Sequence, residues 1–439
     1  MFLAIKQFAA SLLIAIMGLF SWSQPAPQSP PLALTPPKAE SQKIQPPPQP
    51  ASPPTEPQSI PPGSRTTVLL KPAPLPPSPK TFPEKPASLS LKELKACLAK
   101  PSPQNADCLD QQFRAFLKDH TTEDALALLK SFEAADPQYR LSCHPVIHGL
   151  GRETFRKTGT VHDSFAACDQ TCHSGCYHGA MERFLRGESS LTDPSKHLTE
   201  TELIKKTAGA CDANQPTRFR FQCLHGLGHA LVYFLDYNME ESLATCDVLP
   251  TSWDRSSCYG GAFMENVFAA DSAKRDLSPT DYHYPCSKLD DKYRPDCYVM
   301  QTTRMSEMGL STELLFEECR KAAPYQHSCI QSLGRDLSND ARISDPRPSA
   351  ERCELGQDAE EQHACIRGVI YALIDNTWDG SWAFPFCSRF GAQENISYCF
   401  RAAADYLGTT YAKNAQTISQ ECNAYLDTAN APLCVQQVR

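Results

Sequence analysis

Basic charge is in short supply. Against 50 acidic residues stand 42 basic ones, leaving a net charge of −8, with no polybasic patch. Nucleic acid requires a surface that neutralises phosphates, and anionic membranes attract polybasic segments, so neither partner is expected. Catalytic signatures that can be read from spacing are missing as well. There is no Gly-x-Ser-x-Gly elbow, no phosphate loop, no dinucleotide fingerprint and no His-Glu-x-x-His. No Cys-x-x-Cys occurs, which removes the commonest spacing of structural zinc sites. None of the 20 cysteines precedes Cys97, so the first fifth of the chain is a different kind of polymer from the rest.

That first fifth reads as two segments. Lys6 followed by the uncharged run from Phe8 to Phe20 and by Ser21-Trp22-Ser23 has the layout of a secretory signal, so residues 1–23 are expected to be cleaved. The run is shorter than the roughly 20 residues that cross a bilayer, and no membrane span is expected after cleavage. Residues 24–88 hold 22 of the 37 prolines. Proline lacks an N–H and fixes φ, so neither helix nor sheet can propagate; this stretch is expected to be a disordered, polyproline-rich tether. Export implies an oxidising compartment where disulfides persist, which gives a secreted or periplasmic, cell-envelope location.

From residue 89 the cysteines take over, and they come in pairs 10 to 12 residues apart: Cys97 with Cys108, Cys211 with Cys223, Cys246 with Cys258, Cys286 with Cys297, Cys319 with Cys329, Cys353 with Cys365, Cys387 with Cys399 and Cys422 with Cys434. From Cys211 onward the pairs recur every 33 to 40 residues, the period of a solenoid of supersecondary units. Helix-forming segments such as Thr201–Thr207 and Ser311–Phe316 precede the first cysteine of a pair. Others, such as Cys365–Ile374 and Cys399–Leu407, follow the second. Each unit therefore reads as helix, polar loop, helix, with a disulfide closing the hairpin. Such a closure stabilises by about 3 kcal/mol in the chain-entropy model. Counting periods back from Cys211 pairs Cys168 with Cys176 and leaves Cys143 with Cys172. The expected fold over residues 89–439 is an all-α solenoid of about eight or nine stapled hairpins.

This architecture resembles the cysteine-rich, tetratricopeptide-like repeat proteins of bacteria, in which disulfides also tie the two helices of a repeat. The resemblance spans residues 90–439. The cysteine spacing here is longer and the tetratricopeptide Trp/Gly/Tyr signature is missing, so it implies a fold and carries no function.

Aligning the second helices on their cysteine brings out a specialised region between about residues 140 and 270, distinct from the generic units of 271–439. Cys176-Tyr177-His178-Gly179, Cys223-Leu224-His225-Gly226 and the upstream His148-Gly149 share a His-Gly step. The glycine recurs as far as Gly368 and reads as close helix packing. The histidine is confined to the early units; later ones carry Gly260, Val299, Gln331, Arg367 and Arg401 there. Stacked hairpins align equivalent positions, and residues four apart share a helix face, so His144 pairs with His148, His178 with Glu182 and His225 with His229. Imidazoles and carboxylates converging in this way suit Zn, Cu or Fe. The metal set read from the sequence is His144, His148, His178, Glu182, His225 and His229, with Glu153 and Glu265 as weaker outer-shell or base candidates. The competing reading is a structural ladder of histidines bonded to loop carbonyls. Cys168-Asp169-Gln170-Thr171-Cys172-His173 adds a c-type haem attachment reading, in its longer variant. Asn395-Ile396-Ser397 fits a glycosylation acceptor. Functionally the sequence suggests an envelope scaffold for a protein, peptide or glycan that carries a metal site. The alternative is a metal-dependent oxidoreductase or hydrolase centred on His148, His178, His225 and His229.

Overall fold

In a computed structural model of the chain, residues 89–187, 198–269 and 272–438 are described. The signal and tether expected over 1–88 lie outside them. The described residues form nineteen α-helices and no strand. In chain order they are α1 (Leu91–Leu98), α2 (Gln104–Phe116), α3 (Thr122–Ala135), α4 (His144–Thr158), α5 (Val161–Ala167), α6 (Thr171–Arg186), α7 (Glu200–Ala208), α8 (Thr217–Phe234), α9 (Met239–Cys246) and α10 (Ser252–Phe268). Then come α11 (Arg294–Glu307), α12 (Thr312–Lys321), α13 (Gln326–Ile343), α14 (Arg347–Cys353), α15 (Ala359–Thr377), α16 (Ala383–Cys387), α17 (Gln393–Tyr411), α18 (Ala415–Tyr425) and α19 (Ala431–Gln437). Helix starts are encoded locally. Ser90, Thr121, Thr199 and Thr251 each cap a first turn, and the acidic residue three positions on returns a bond to the cap. These boxes satisfy N–H groups that the helix itself leaves unpaired.

Ten disulfides are formed and no cysteine is free. Nine close a single unit, joining the end of its first element to the start of its second. The tenth, Cys143–Cys172, ties the start of α4 to the start of α6. One unit departs from the helix–loop–helix plan. Cys286 lies in a short 3-10 turn after an irregular segment, so its disulfide to Cys297 staples a loop to α11. The Pro285 just before that cysteine and the polar stretch preceding it leave no apolar stripe for a helix to bury. Asn395, the expected glycosylation acceptor, is only 2% exposed and donates to Gln362 Oε1 at 2.9 Å, so the side chain is not presented for modification.

The second helices, α2, α4, α6, α8, α10, α11, α13, α15, α17 and α19, pack side by side in chain order. The row winds back on itself: α15 meets α6, and α17 meets α8. Trp378 at the end of α15 stands 6.3 Å from the ring of Tyr177 and 6.0 Å from that of Phe219, with the Arg218 guanidinium 4.6 Å from its own ring. Arg140 donates to the Arg342 carbonyl at 2.7 Å, across 202 residues of sequence. The second helices therefore face an interior.

The spacing between them is set by glycine. A Cβ at Gly179 would stand 2.0 Å from the His148 carbonyl oxygen, and one at Gly151 would stand 2.0 Å from that of Cys176. Helices α4 and α6 thus touch backbone to backbone. Gly228 and Gly261 make the same reciprocal contact between α8 and α10.

Candidate metal centre

This close approach, with α8 alongside α6, brings histidines of three units into one cluster. Ring centroids of His144 and His148 lie 4.6 Å apart, His144 and His178 5.1 Å, and His178 and His229 4.8 Å. His225 is 5.3 Å from His178 and 5.0 Å from His229. His148, His178, His225 and His229 are buried and His144 is partly so.

Each of four histidines has one ring nitrogen held by an acceptor. His144 Nδ1 meets the Cys172 carbonyl at 2.9 Å, His148 Nδ1 the Glu182 carboxylate at 2.6 Å, His178 Nε2 the Gln222 side-chain oxygen at 3.3 Å, and His229 Nδ1 the Glu265 carboxylate at 2.9 Å. Those oxygens accept, so in the neutral rings the N–H sits on the bonded nitrogen and the other nitrogen presents a lone pair. The remaining nitrogens face one another. His144 Nε2 is 3.1 Å from His148 Nε2 and 3.3 Å from His178 Nδ1, and His229 Nε2 is buried with no partner. One ring nitrogen each from His144, His178 and His229 lies within 4.8 Å of the others. Two lone pairs at such distances repel unless a cation lies between them. Ligands about 2.0–2.1 Å from a tetrahedral ion are roughly 3.3 Å from one another, close to the 3.1 and 3.3 Å found at His144 Nε2. Burial pushes the pKa of His144, and that of His178, well below the ordinary histidine value, and the neighbouring rings add to the effect. Both are thereby kept in the neutral, ligand-competent form.

A charged relay backs the cluster. Glu182 also accepts from Arg152 Nη1 at 2.5 Å, Arg152 Nε donates to Asp110 at 2.7 Å, and Arg183 bridges Asp110 at 3.0 Å and Glu153 at 3.2 Å. Burial alone would raise the Glu182 pKa. Arg152 and His148 more than reverse that and hold it well below the usual carboxylate range. An ionised acceptor of this kind fixes a ligand's tautomer and raises its basicity.

The structure sorts the residues singled out from sequence. His144, His178 and His229 converge through nitrogens, and His148 Nε2 joins the set through His144 Nε2. Glu182 stands behind His148 as its acceptor, and Glu265 behind His229. His225 adjoins the cluster with an unpartnered Nδ1. Glu153 is removed from the histidines: Arg114 holds it with two bonds at 2.9 and 2.8 Å, alongside Arg156 and Arg183. The haem reading is corrected, because Cys168 and Cys172 are bonded to Cys176 and Cys143 and leave no thiol for a thioether. Their disulfides instead brace a left-handed turn over Cys172, His173 and Ser174 (φ 49°, 57° and 60°). That turn aims the Cys172 carbonyl at His144. His173 lies beside His144, its pKa lowered to about 3 by burial and by Arg342 and Arg335.

Sequence reasoning missed Gln222, Arg152, Asp110 and the Cys172 carbonyl. A signal for the relay existed. Four and five residues past the aligned histidines stand Arg152-Glu153 in one unit and Glu182-Arg183 in the next, opposite charges at matched positions. Compared with known protein families, curated proteins and solved structures, the chain matches none.

Proposed function

We propose that this chain is an exported metalloprotein of the cell envelope. In this reading the early hairpins hold one transition-metal ion, Zn, Cu or Fe, through His144 Nε2, His148 Nε2, His178 Nδ1 and His229 Nε2. The carrying observation is the set of four imidazoles whose other nitrogens are all taken by acceptors, with 3.1 and 3.3 Å between the facing lone pairs. Four imidazoles fill a tetrahedral shell, which suits a held ion. Ten disulfides agree with an oxidising compartment. The remaining units form a scaffold around the ion, and the outer helices offer a surface to a protein, peptide or glycan partner.

A second reading, a metal-dependent oxidoreductase or hydrolase, draws on one specific feature. His144, His148 and His229 line a cavity of about 230 Å³ that also reaches Tyr237 and Glu265. A substrate entering it would meet the cluster directly.

The test is metal content by mass spectrometry on full-length protein produced in an oxidising compartment, beside His178→Ala and His229→Ala. Near one equivalent of a transition metal in the wild type, lost in both variants, is expected. No metal in any of the three, with unchanged Tm on adding Zn, Cu or Fe salts, sinks the reading and leaves the histidines as a structural ladder.

A further inference from the structure

Next to the histidines, between the early and late units, lies a second cavity of about 400 Å³. Its ionisable lining consists of Arg140, His144, His173, Arg335 and Arg342, with no carboxylate among the described residues. This is unusual for the molecule. The two fully buried guanidinium groups meet acids: Arg152 has Asp110 and Glu182, and Arg183 has Asp110 and Glu153, while the half-buried Arg186 has the Tyr233 carbonyl and ring. Of the three cavity arginines, Arg335 alone forms an ion pair among the described residues, with Asp336 at 2.8 Å. Among the described residues, Arg342 reaches amide oxygens, those of Asn339 and of Asn376 at 3.1 Å, and Arg140 reaches the Arg342 carbonyl and the face of Trp382. The Nε atoms of Arg335 and Arg342 are buried without a partner. The three side chains are half-buried; withdrawing charge from water without a partner is costly, and a cluster of like charges compounds it. Burial, together with Arg140 and Arg335, lowers the Arg342 pKa to about 10 despite Glu133 nearby.

The rest of the wall combines serine and asparagine side chains with an apolar portion in which Leu98, Met264 and Phe268 are prominent. Met264 and His173 also line a neighbouring cavity of about 290 Å³ that holds Trp253 and Tyr371. A cavity of this size, mostly apolar with a few convergent polar groups, is of the kind that takes small molecules, and a planar guanidinium fork matches a carboxylate or phosphate.

We propose that this cavity binds a small amphipathic organic anion, its carboxylate or phosphate seated among Arg140, Arg335 and Arg342 and its apolar body against Met264 and Phe268. The inference rests on the arginine cavity and not on the metal reading. The anion adds counter-charge to that of Asp336 and Glu133, which are two acids against three guanidinium groups, and it joins the early units to α13, on which Arg335 and Arg342 stand. Bound ligand therefore stabilises the winding of the superhelix.

The experiment is calorimetric titration of full-length oxidised protein with 4-phenylbutyrate, phenyl phosphate, inorganic phosphate and the uncharged 4-phenylbutanol, each with and without chelator. Saturable binding of one of the two organic anions is expected, with the alcohol and inorganic phosphate at least roughly tenfold weaker, since charge-assisted bonds and apolar contact each contribute. Whether 4-phenylbutyrate or phenyl phosphate wins identifies the headgroup. Arg342→Gln and Arg140→Gln should each weaken binding roughly tenfold or more, and the exposed Arg347→Gln should not. If Arg342→Gln misfolds by circular dichroism, Arg140→Gln carries the test alone, since Arg140 has only one hydrogen bond to lose. The proposal is overturned if no organic anion saturates, if the alcohol or inorganic phosphate binds as well, or if both arginine variants bind like the wild type. Binding that persists in chelator and in His229→Ala supports it whatever becomes of the metal. Binding lost with the metal makes the ion the anion's ligand and refutes the arginine assignment.

Discussion

Replacing Gly179 with alanine tests the link between packing and site. The new Cβ would stand 2.0 Å from the His148 carbonyl oxygen and 2.7 Å from its carbonyl carbon, where real Cβ contacts do not fall below 3.0 Å. The neighbouring atoms are backbone, so no side chain can rotate away, and α4 and α6 must part by about 1 Å in a close-packed interior. Overpacking of this kind costs about 1–3 kcal/mol. Metal-ligand distances tolerate only about 0.2 Å, and the shift acts on the two helices that carry His144, His148 and His178. Gly179→Ala should therefore lower Tm and weaken metal binding roughly 10–100-fold, on the scale of losing an orienting partner. The reciprocal Gly151→Ala, whose Cβ would meet the Cys176 carbonyl at 2.0 Å, should do the same. Gly209→Ala is the control: its nearest neighbour is 3.6 Å away, and its effect should stay within about 0.5 kcal/mol. Chemical denaturation gives the stability and competition with a chelating dye the affinity. Wild-type metal affinity in Gly179→Ala would refute the claim that glycine-set helix spacing builds the site.

Glu182→Gln leaves Arg152 with Asp110 as its one acid among the described residues. Breaking a buried ion pair costs about 3–5 kcal/mol, and metal affinity should fall roughly 10–100-fold with it; an unchanged denaturation midpoint would contradict the relay. Burial, chiefly, keeps His144, His173, His178 and His225 neutral, with folded pKa values below the unfolded value and about 3 for His173. The unfolded chain takes up protons first. The metal-free protein should therefore keep its full stability above the unfolded pKa of about 6.5 and lose it progressively as pH falls toward the folded values, as Tm read from pH 8 to 4 would show. Removing Cys143–Cys172 with paired serines opens a closure of 29 residues, worth about 3.5 kcal/mol in the chain-entropy model, and frees the turn that aims the Cys172 carbonyl. Metal binding should be lost there and retained when Cys422–Cys434 is removed; equal retention in both would show that the turn does not orient His144.

The hairpins and their staples were legible in the sequence because they are local. A cysteine 10 to 12 residues from its partner has only one loop to close, and a Thr or Ser with an acid three residues on caps a helix wherever that helix goes. The pairing of Cys143 with Cys172 was legible only as the remainder once spacing had put Cys168 with Cys176, and the fold, not the period, brings those two together. The repeated His-Gly step identified the helices that matter, because stacked units put equal positions side by side. It could not say which nitrogen of each ring is free. That depends on Gln222, Glu265 and a carbonyl in a left-handed turn, acceptors with no repeated position of their own. Nor could the sequence place Arg140 beside Arg335 and Arg342. Their meeting is set by how far the superhelix turns per unit, a sum of small rotations fixed by side-chain packing at every interface. Only the tertiary structure performs that sum, and with it decides that the inner helices close around a cavity.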